Sequence, residues 1–298
     1  MSITIDLPRP DACEVRRKAA SGYWSGVGRR LRRDPMTVIC LLVLVTIALM
    51  AIAAPLIAPG DAYKTSMLRR LLPPGAPNHF LGTDELGRDM ATRLIYGGRL
   101  SLFMGLLPVI NAVVIGGCLG IIAGYVGGAV NTGIMRTLEV LFAFPSVLLA
   151  IALSGALGAG IGNTILSLTI VFIAPIGRVA EAVTTQIRSL DYIEAARASG
   201  ASALAVIRVH VLRVVLGPIF IYASSLISVS IIIASGLSFL GLGVKPPEPE
   251  WGLMLNTLRP AIYTSPINAT LPGVMIFVTS ICFNLVSDGL RAAMDVRE

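Results

Sequence analysis

Six stretches of this chain stay apolar for about the twenty residues that an α-helix needs to cross the hydrocarbon of a bilayer. They cover residues 36–58, 100–125, 133–157, 161–182, 214–237 and 269–290. Backbone polar groups find no water inside lipid, so each stretch must satisfy its own hydrogen bonds as a helix. Composition agrees: of 298 residues, 55% are hydrophobic and 14% charged, which excludes a soluble globular domain. The net charge of +7 comes from basic residues that are scattered or flank the apolar stretches. They read as topology signals rather than as a nucleic-acid surface, so the partner they imply is membrane lipid. Cys13, Cys40, Cys118 and Cys282 lie far apart, three of them in apolar stretches, and no spacing suits zinc. They are expected as buried thiols that pack like small hydrophobes. The predicted fold is an all-α integral membrane protein with six transmembrane helices.

Residues 1–35 form a basic tail, with Arg16-Arg17-Lys18 and Arg29-Arg30-Leu31-Arg32-Arg33 ahead of the first span. The positive-inside rule puts this tail in the cytoplasm. Ala51-Ile52-Ala53 imitates a signal-peptidase site, but the long leader and the run of about 23 residues fit an uncleaved span. Six spans then return the C-terminus and the 186–212 loop to the cytoplasmic side. The six Lys/Arg between 59 and 99 fall outside on this topology and weaken the charge rule there, although a strong first span usually fixes orientation.

The 59–99 segment opens with Pro73-Pro74 and Pro77, and a helix is expected to begin at Thr83 or Asp84 with acids in its first turn. Asp84, Glu85, Asp89 and His79 could be taken for a metal or catalytic cluster. The acids suit a helix N-terminus better, with Arg88 and Arg93 as ion-pair partners. In the second span, Gly116-Gly117, Gly120 and Gly124 recur at helical spacing and allow close helix contact. Phe144-Pro145 should kink the third span. Arg178/Glu181 and Asp288/Arg291 are i,i+3 pairs, and Trp251 after a proline turn suits the bilayer interface.

The long polar segment of the second half, Asp191 to Arg213, reads as helix, stop, helix. Ser189 or Asp191 can cap the first helix, and Tyr192 to Ser199 holds no breaker. Gly200 is the residue type that ends a helix in the left-handed conformation, and Ser202 can cap a second helix from Ala203. Ala195, Ala196 and Ala198 give the first helix a low surface that another protein can approach closely. An ordinary amphipathic loop reads the same way.

Glu194-Ala195-Ala196, three residues, Gly200, nine residues, then His210-Val211-Leu212 resembles the EAA loop of binding-protein-dependent ABC importer permeases. His210 at the first triplet position and Arg213 in place of the usual proline depart from that pattern. Leu81–Asp89 resembles the LGTDxLGRD signature of the dipeptide, oligopeptide and nickel permeases. Phe239–Gly252 resembles their FLGLGxxPPxPxWG segment, and the stretches 138–153 and Asn284–Arg291 are similar to the same family. The resemblance spans residues 28–298 and implies a type I ABC importer permease (MetI-like) fold. It divides the chain into a cytoplasmic tail (1–35), a first span with an extracytoplasmic loop (36–99) and a core permease domain (100–298) with its coupling loop at 186–213. It also implies a bacterial inner-membrane location, a homologous second permease subunit, two ABC ATPase subunits and an extracytoplasmic solute-binding protein. Tyr192, Glu194, Ala195, Ala196, Arg197, Gly200 and Ala201 are then expected to face the ATPase. Family substrates include peptides, glutathione, nickel, opine-like compounds and sugars, and specificity lies largely with the binding protein.

No catalytic constellation is legible, and no cofactor of its own is expected. Leu153-Ser154-Gly155 and Gly158–Gly162 echo nucleotide-binding motifs, but they sit in or beside an apolar span, and no G-x-x-x-x-G-K-[ST] occurs. ATP is expected to be bound and hydrolysed in partner subunits, so this chain is not expected to be an enzyme. Ionisable residues cluster at span ends, which disfavours a proton-coupled carrier. Asn111, Asn163 and Asn284 read as helix-packing hydrogen bonds. A channel or carrier that works alone remains the alternative, and transport without ATPase partners would reveal it.

Overall fold

The computed structural model describes residues 23–294. Cys13 and the Arg16–Lys18 cluster lie outside the described residues. A short amphipathic helix, α1 (Tyr23–Leu31), leads into α2 (Pro35–Ile52). Asp34 caps α2 by accepting from Met36 N at 3.2 Å and from the Thr37 hydroxyl, with Pro35 pre-set at the first helical position. A single turn, α3 (Ala54–Ile57), follows.

The expected helix at Thr83 or Asp84 does not form there. Gly82 and Gly87 adopt φ of +75° and +70°, and residues 81–89 make a tight knot instead. The helix α4 (Met90–Val126) starts beyond it, capped by Asp89, whose Oδ2 accepts from Thr92 N and Thr92 Oγ1 at 2.8 Å each. At 37 residues α4 is about 55 Å long, more than the roughly 30 Å hydrocarbon layer requires.

The third span is more than kinked. It breaks into α5 (Gly128–Phe142) and α6 (Ser146–Leu157), which meet at 87° across Ala143–Pro145. A cavity of about 370 Å3 sits in the elbow, walled by Phe144, Pro145, Phe172, Pro175 and Tyr222. Next come α7 (Ile161–Ile187), α8 (Asp191–Ala198) and α9 (Ala203–Val206). A π-helical turn (Ile207–Val211) joins α9 to α10 (Leu212–Phe239), and α11 (Trp251–Leu258) and α12 (Pro266–Met294) complete the order. Five of these helices are long and apolar enough to cross a membrane, and the bent α5–α6 pair makes six.

The glycines explain the core. Gly116, Gly120 and Gly124 form one stripe on α4 that lies on the backbone of α7, the most extensively packed helix pair. A Cβ on Gly116 would stand 2.6 Å from Ile173 O, and one on Gly124 would stand 2.8 Å from Glu181 O. On Gly120 it would collide with the Gly177 carbonyl. Gly117 faces away and has its nearest neighbour, Ile219 Cδ1, at 3.7 Å. Around this seam Met104, Leu168, Phe172, Ile176 and Ile219 are buried. Helix α2 stays peripheral: it packs on α12 and α4 and leaves Leu42, Val45, Leu49 and Met50 exposed.

Two further expectations are corrected. Trp251 is no interface anchor: it is fully buried, donates Nε1–H to Leu94 O at 2.9 Å and packs over Gly97 and Gly98. Cys40 and Cys282 are buried together between α2 and α12, but Cys118 is exposed on α4.

Candidate coupling site

The loop between α7 and α10 stands at one end of the bundle, and its first helix folds as its sequence directs, with one shift at the start. Leu190, not Ser189 or Asp191, occupies the N-cap position, and no side chain caps it. Asp191 falls inside the first turn with Glu194, where both carboxylates favour the helix dipole. At the other end Gly200 has φ +82°, its N–H donates to Arg197 O at 3.0 Å, and Ala201 N donates to Ala196 O at 3.1 Å. This paired bonding is a Schellman stop, and it gives Ala201 a structural role through its backbone. Ser202 then caps α9 by accepting from Ala205 N at 3.3 Å.

Ile193 is fully buried and pins α8 to the core, and Ala196 packs beside it half-buried. Asp191, Tyr192, Glu194, Ala195 and Arg197 are exposed, so the helix offers a polar face with a small-residue centre. His210, the departure from the EAA pattern, stands in the π-helical turn with its ring centroid 6.0 Å from that of Tyr192. Arg213 lies just past that turn, and the chain runs on as one helical rod from Ala203 to Phe239. A residue that keeps its N–H suits such a rod better than proline does.

Polar side chains gather at the last turn of α4. Arg188 Nη1 donates to Gly124 O at 3.1 Å. Asn131 Nδ2 donates to Ala123 O at 3.2 Å and to Glu181 Oε1 at 2.7 Å, and Thr185 Oγ1 donates to the same carboxylate oxygen at 3.0 Å. A cationic side chain on the final carbonyls of a helix completes bonds that the helix cannot make itself. Arg197 lies over the Tyr125 ring at 4.6 Å from its centroid. Glu181 is thus bonded to Asn131 rather than to Arg178, which sits over Phe142 at 5.0 Å. Sequence reasoning missed Ile193, Tyr125, Arg188 and Asn131. Only Ile193 carried a signal, as the one large apolar residue in a polar helix. Asp288 and Arg291 form no ion pair with each other.

The acidic cluster at the opposite end is structural. Asp84 Oδ1 accepts from Leu86 N at 2.9 Å and Arg88 N at 2.8 Å, and its Oδ2 lies 2.6 Å from Arg88 Nε and 3.2 Å from Arg93 Nε. Glu85 pairs with Arg88 at 2.8 Å, and His79 Nδ1 meets Asp89 at 2.9 Å. Arg88 and Arg93 therefore serve as the pairing cations read from the sequence. Among the described residues no group of three His, Cys, Asp or Glu could hold a metal ion. Asn163 bonds the carbonyls of Leu157 and Gly158 at 2.8 and 2.9 Å, which holds the α6–α7 turn.

This arrangement, spans packed on a glycine seam with an exposed helical loop rooted between the fourth and fifth, defines a polytopic α-helical membrane protein. Residues 116–297 match the family described as "Binding-protein-dependent transport system inner membrane component", and residues 22–74 match "N-terminal TM domain of oligopeptide transport permease C". The chain is 38% identical over 281 residues to the glutathione transport system permease protein GsiD of Pectobacterium atrosepticum, covering 94% of this chain and 93% of that protein. It is 37% identical over 272 residues to the dipeptide transport system permease protein DppC of Alkalihalophilus pseudofirmus, covering 91% and 89%. A chain of the inward-facing MetNI methionine ABC transporter superposes with a TM-score of 0.54 at 17% identity, over 67% of this chain and 95% of that one. The protein belongs to the binding-protein-dependent transport system inner membrane component family. It is the permease subunit of an ABC importer, with the type I, MetI-like fold.

Proposed function

We propose that the chain forms half of the translocation route for peptides or a related small solute such as glutathione, in the plasma (inner) membrane of a bacterium. The observation that carries this reading is similarity along nearly the whole chain to permeases named for glutathione and for dipeptides. Nickel and other small solutes are the remaining substrates of this reading. The chain pairs with a homologous second permease, two ABC ATPase subunits and an extracytoplasmic solute-binding protein. Both termini and the α8 loop face the cytoplasm, and the knot of residues 81–89 faces the binding protein's side. No cofactor is held by this chain, since ATP is bound by the ATPases.

The α8 face of Tyr192, Glu194, Ala195, Ala196 and Arg197, with Gly200 and Ala201 as its stop, docks on an ATPase. The buried Ile193 and the Arg197–Tyr125 contact support this, because they would pass a displacement of α8 to the core and to α4, whose last turn Arg188 ties to the end of α7. ATP must bind the outward-facing arrangement more tightly than the inward-facing one, since a ligand with equal affinity for both shifts nothing.

The test is affinity purification of the chain from its own membranes, with mass spectrometry of bound proteins and small molecules. A homologous permease, ATPases and a binding protein are expected, with the ligand of that binding protein naming the substrate. Glu194→Lys should remain in the membrane and lose uptake. Recovery of the chain alone with intact transport would sink the reading.

A further inference from the structure

A second recess lies far from the coupling loop, at the seam of α2 and α4. Its volume is about 290 Å3, and Ile47, Met50, Leu94, Trp251 and Met275 line it with Phe80 at the rim. The wall is carbon almost throughout. Water would find none of the two to four polar partners it needs there, and packed proteins keep few voids of this size empty.

Its height in the membrane follows from α2. Eighteen residues rise about 27 Å, close to the thickness of the hydrocarbon layer, so Ile52 stands at a bilayer boundary. Ile47 and Met50 lie just inside that boundary. At the boundary itself the exposed Arg99 donates Nε to Ala51 O at 2.6 Å and Nη2 to Ile52 O at 2.7 Å. Two of the five guanidinium donors are thereby used to hold the cation in place, next to the helix end that forms one wall of the recess. Met50 and Phe80, which line the recess, are themselves exposed, and the opposite face of α2 carries Leu42, Val45 and Leu49 as exposed apolar residues.

We propose that this recess is a phospholipid site. One acyl chain fills the apolar pocket between α2 and α4, and Arg99 holds the phosphate at the boundary. Phosphate suits a guanidinium with unused donors, and an unbranched hydrocarbon chain suits an irregular apolar slot open to lipid. The bound chain extends the packing of the peripheral first span, which touches α4 directly at Ala51 and Gly98 and leaves the recess beside that contact.

The test uses the assembled importer in vesicles of phosphatidylethanolamine that carries a diazirine on one acyl chain. After irradiation the labelled residues are mapped by mass spectrometry. Label is expected on Leu94 or Trp251, 5% and 0% exposed, as well as on the outward residues Leu42 and Val45. Ala91→Phe fills the recess, so label on Leu94 and Trp251 should be lost while that on Leu42 and Val45 persists. Arg99→Gln leaves the recess open and should lose phospholipid label on Trp251, yet keep label from a diazirine fatty alcohol that has no phosphate. Label confined to the outward face of the unaltered protein, or unchanged by Ala91→Phe, would overturn the site. Undiminished phospholipid label in Arg99→Gln would overturn the role of Arg99.

Discussion

The guanidinium of Arg197 in α8 lies 4.6 Å from the ring centroid of Tyr125, the penultimate residue of α4. The exposed loop helix is therefore joined to the second span by a contact that bypasses the chain between them, which runs through α5, α6 and α7. A cation over a tyrosine face contributes about 0.5–1 kcal/mol at such an exposed position. Arg197→Ala and Tyr125→Leu should each lower uptake several-fold while ATPase subunits still copurify, and the double variant should be no worse than either single one. Uptake and ATP hydrolysis in vesicles, measured side by side, check this: hydrolysis should persist with less transport per ATP.

The seam of α4 on α7 gives a second prediction with its own control. Gly120→Ala puts a methyl group into the Gly177 carbonyl, whereas Gly117→Ala meets only a side-chain methyl at 3.7 Å. Overpacking of this kind costs about 1–3 kcal/mol. The melting temperature of the detergent-solubilised protein should fall for Gly120→Ala and stay unchanged or rise slightly for Gly117→Ala.

At Gly200 the obstacle to substitution is backbone conformation alone, since nothing lies within 4 Å of an added Cβ. The φ of +82° costs a non-glycine residue about 1–2 kcal/mol, with asparagine the mildest. Uptake should therefore rank Gly200→Asn above Gly200→Ala and Gly200→Val lowest. Equal uptake by all three would show that the stop of α8 is immaterial.

Glu250 caps α11 from a fully enclosed position, accepting from Gly252 N at 2.9 Å, Leu253 N at 2.8 Å and Ser101 Oγ at 3.1 Å. Burial pushes its carboxyl above the ordinary carboxylate range, while the hydrogen bonds from Gly252, Leu253, Ser238 and Ser101 pull the other way. The folded protein therefore binds this proton more tightly than the unfolded chain does. Its contribution favours folding below the unfolded carboxylate range and is lost as pH rises through the raised folded value. Melting curves of the native protein and Glu250→Gln, compared across pH, should show the native protein losing stability relative to the variant as pH climbs through that window. A pH-independent difference would contradict it.

Much of this structure was legible as pattern. Spans announce themselves because lipid requires long apolar runs, and Gly116, Gly120 and Gly124 named their own close contact through spacing. Gly200 and Ser202 were readable because stops and caps are local chemistry. What escaped was non-local. The start of α4 moved from Thr83 to Met90 because the Asp84 side chain bonds Leu86 N and Arg88 N and holds the chain in a knot. Trp251 reads as an interface residue until Gly97 and Gly98, far earlier in the chain, are seen to make room for it. The 87° break at Ala143–Pro145 exceeds what a proline kink implies, because Pro145 stands between two helices rather than within one. At the exposed α8 loop the polar face was foreseeable, but its fastening by Arg188, Asn131 and Tyr125 depends on which span ends meet.

A seam in which glycines lie on a backbone, with only the small side chains of Ala180 and Thr184 beside them, has few rotamers by which it could slip. Gly116, Gly120 and Gly124 therefore weld α4 and α7 into a single girder, about 55 Å long on its longer side. If the importer opens alternately at its two ends, as the proposed function requires, this pair should move as one body, and the elbow at Ala143–Pro145 and the π-helical turn before α10 are the breaks at which bending is expected.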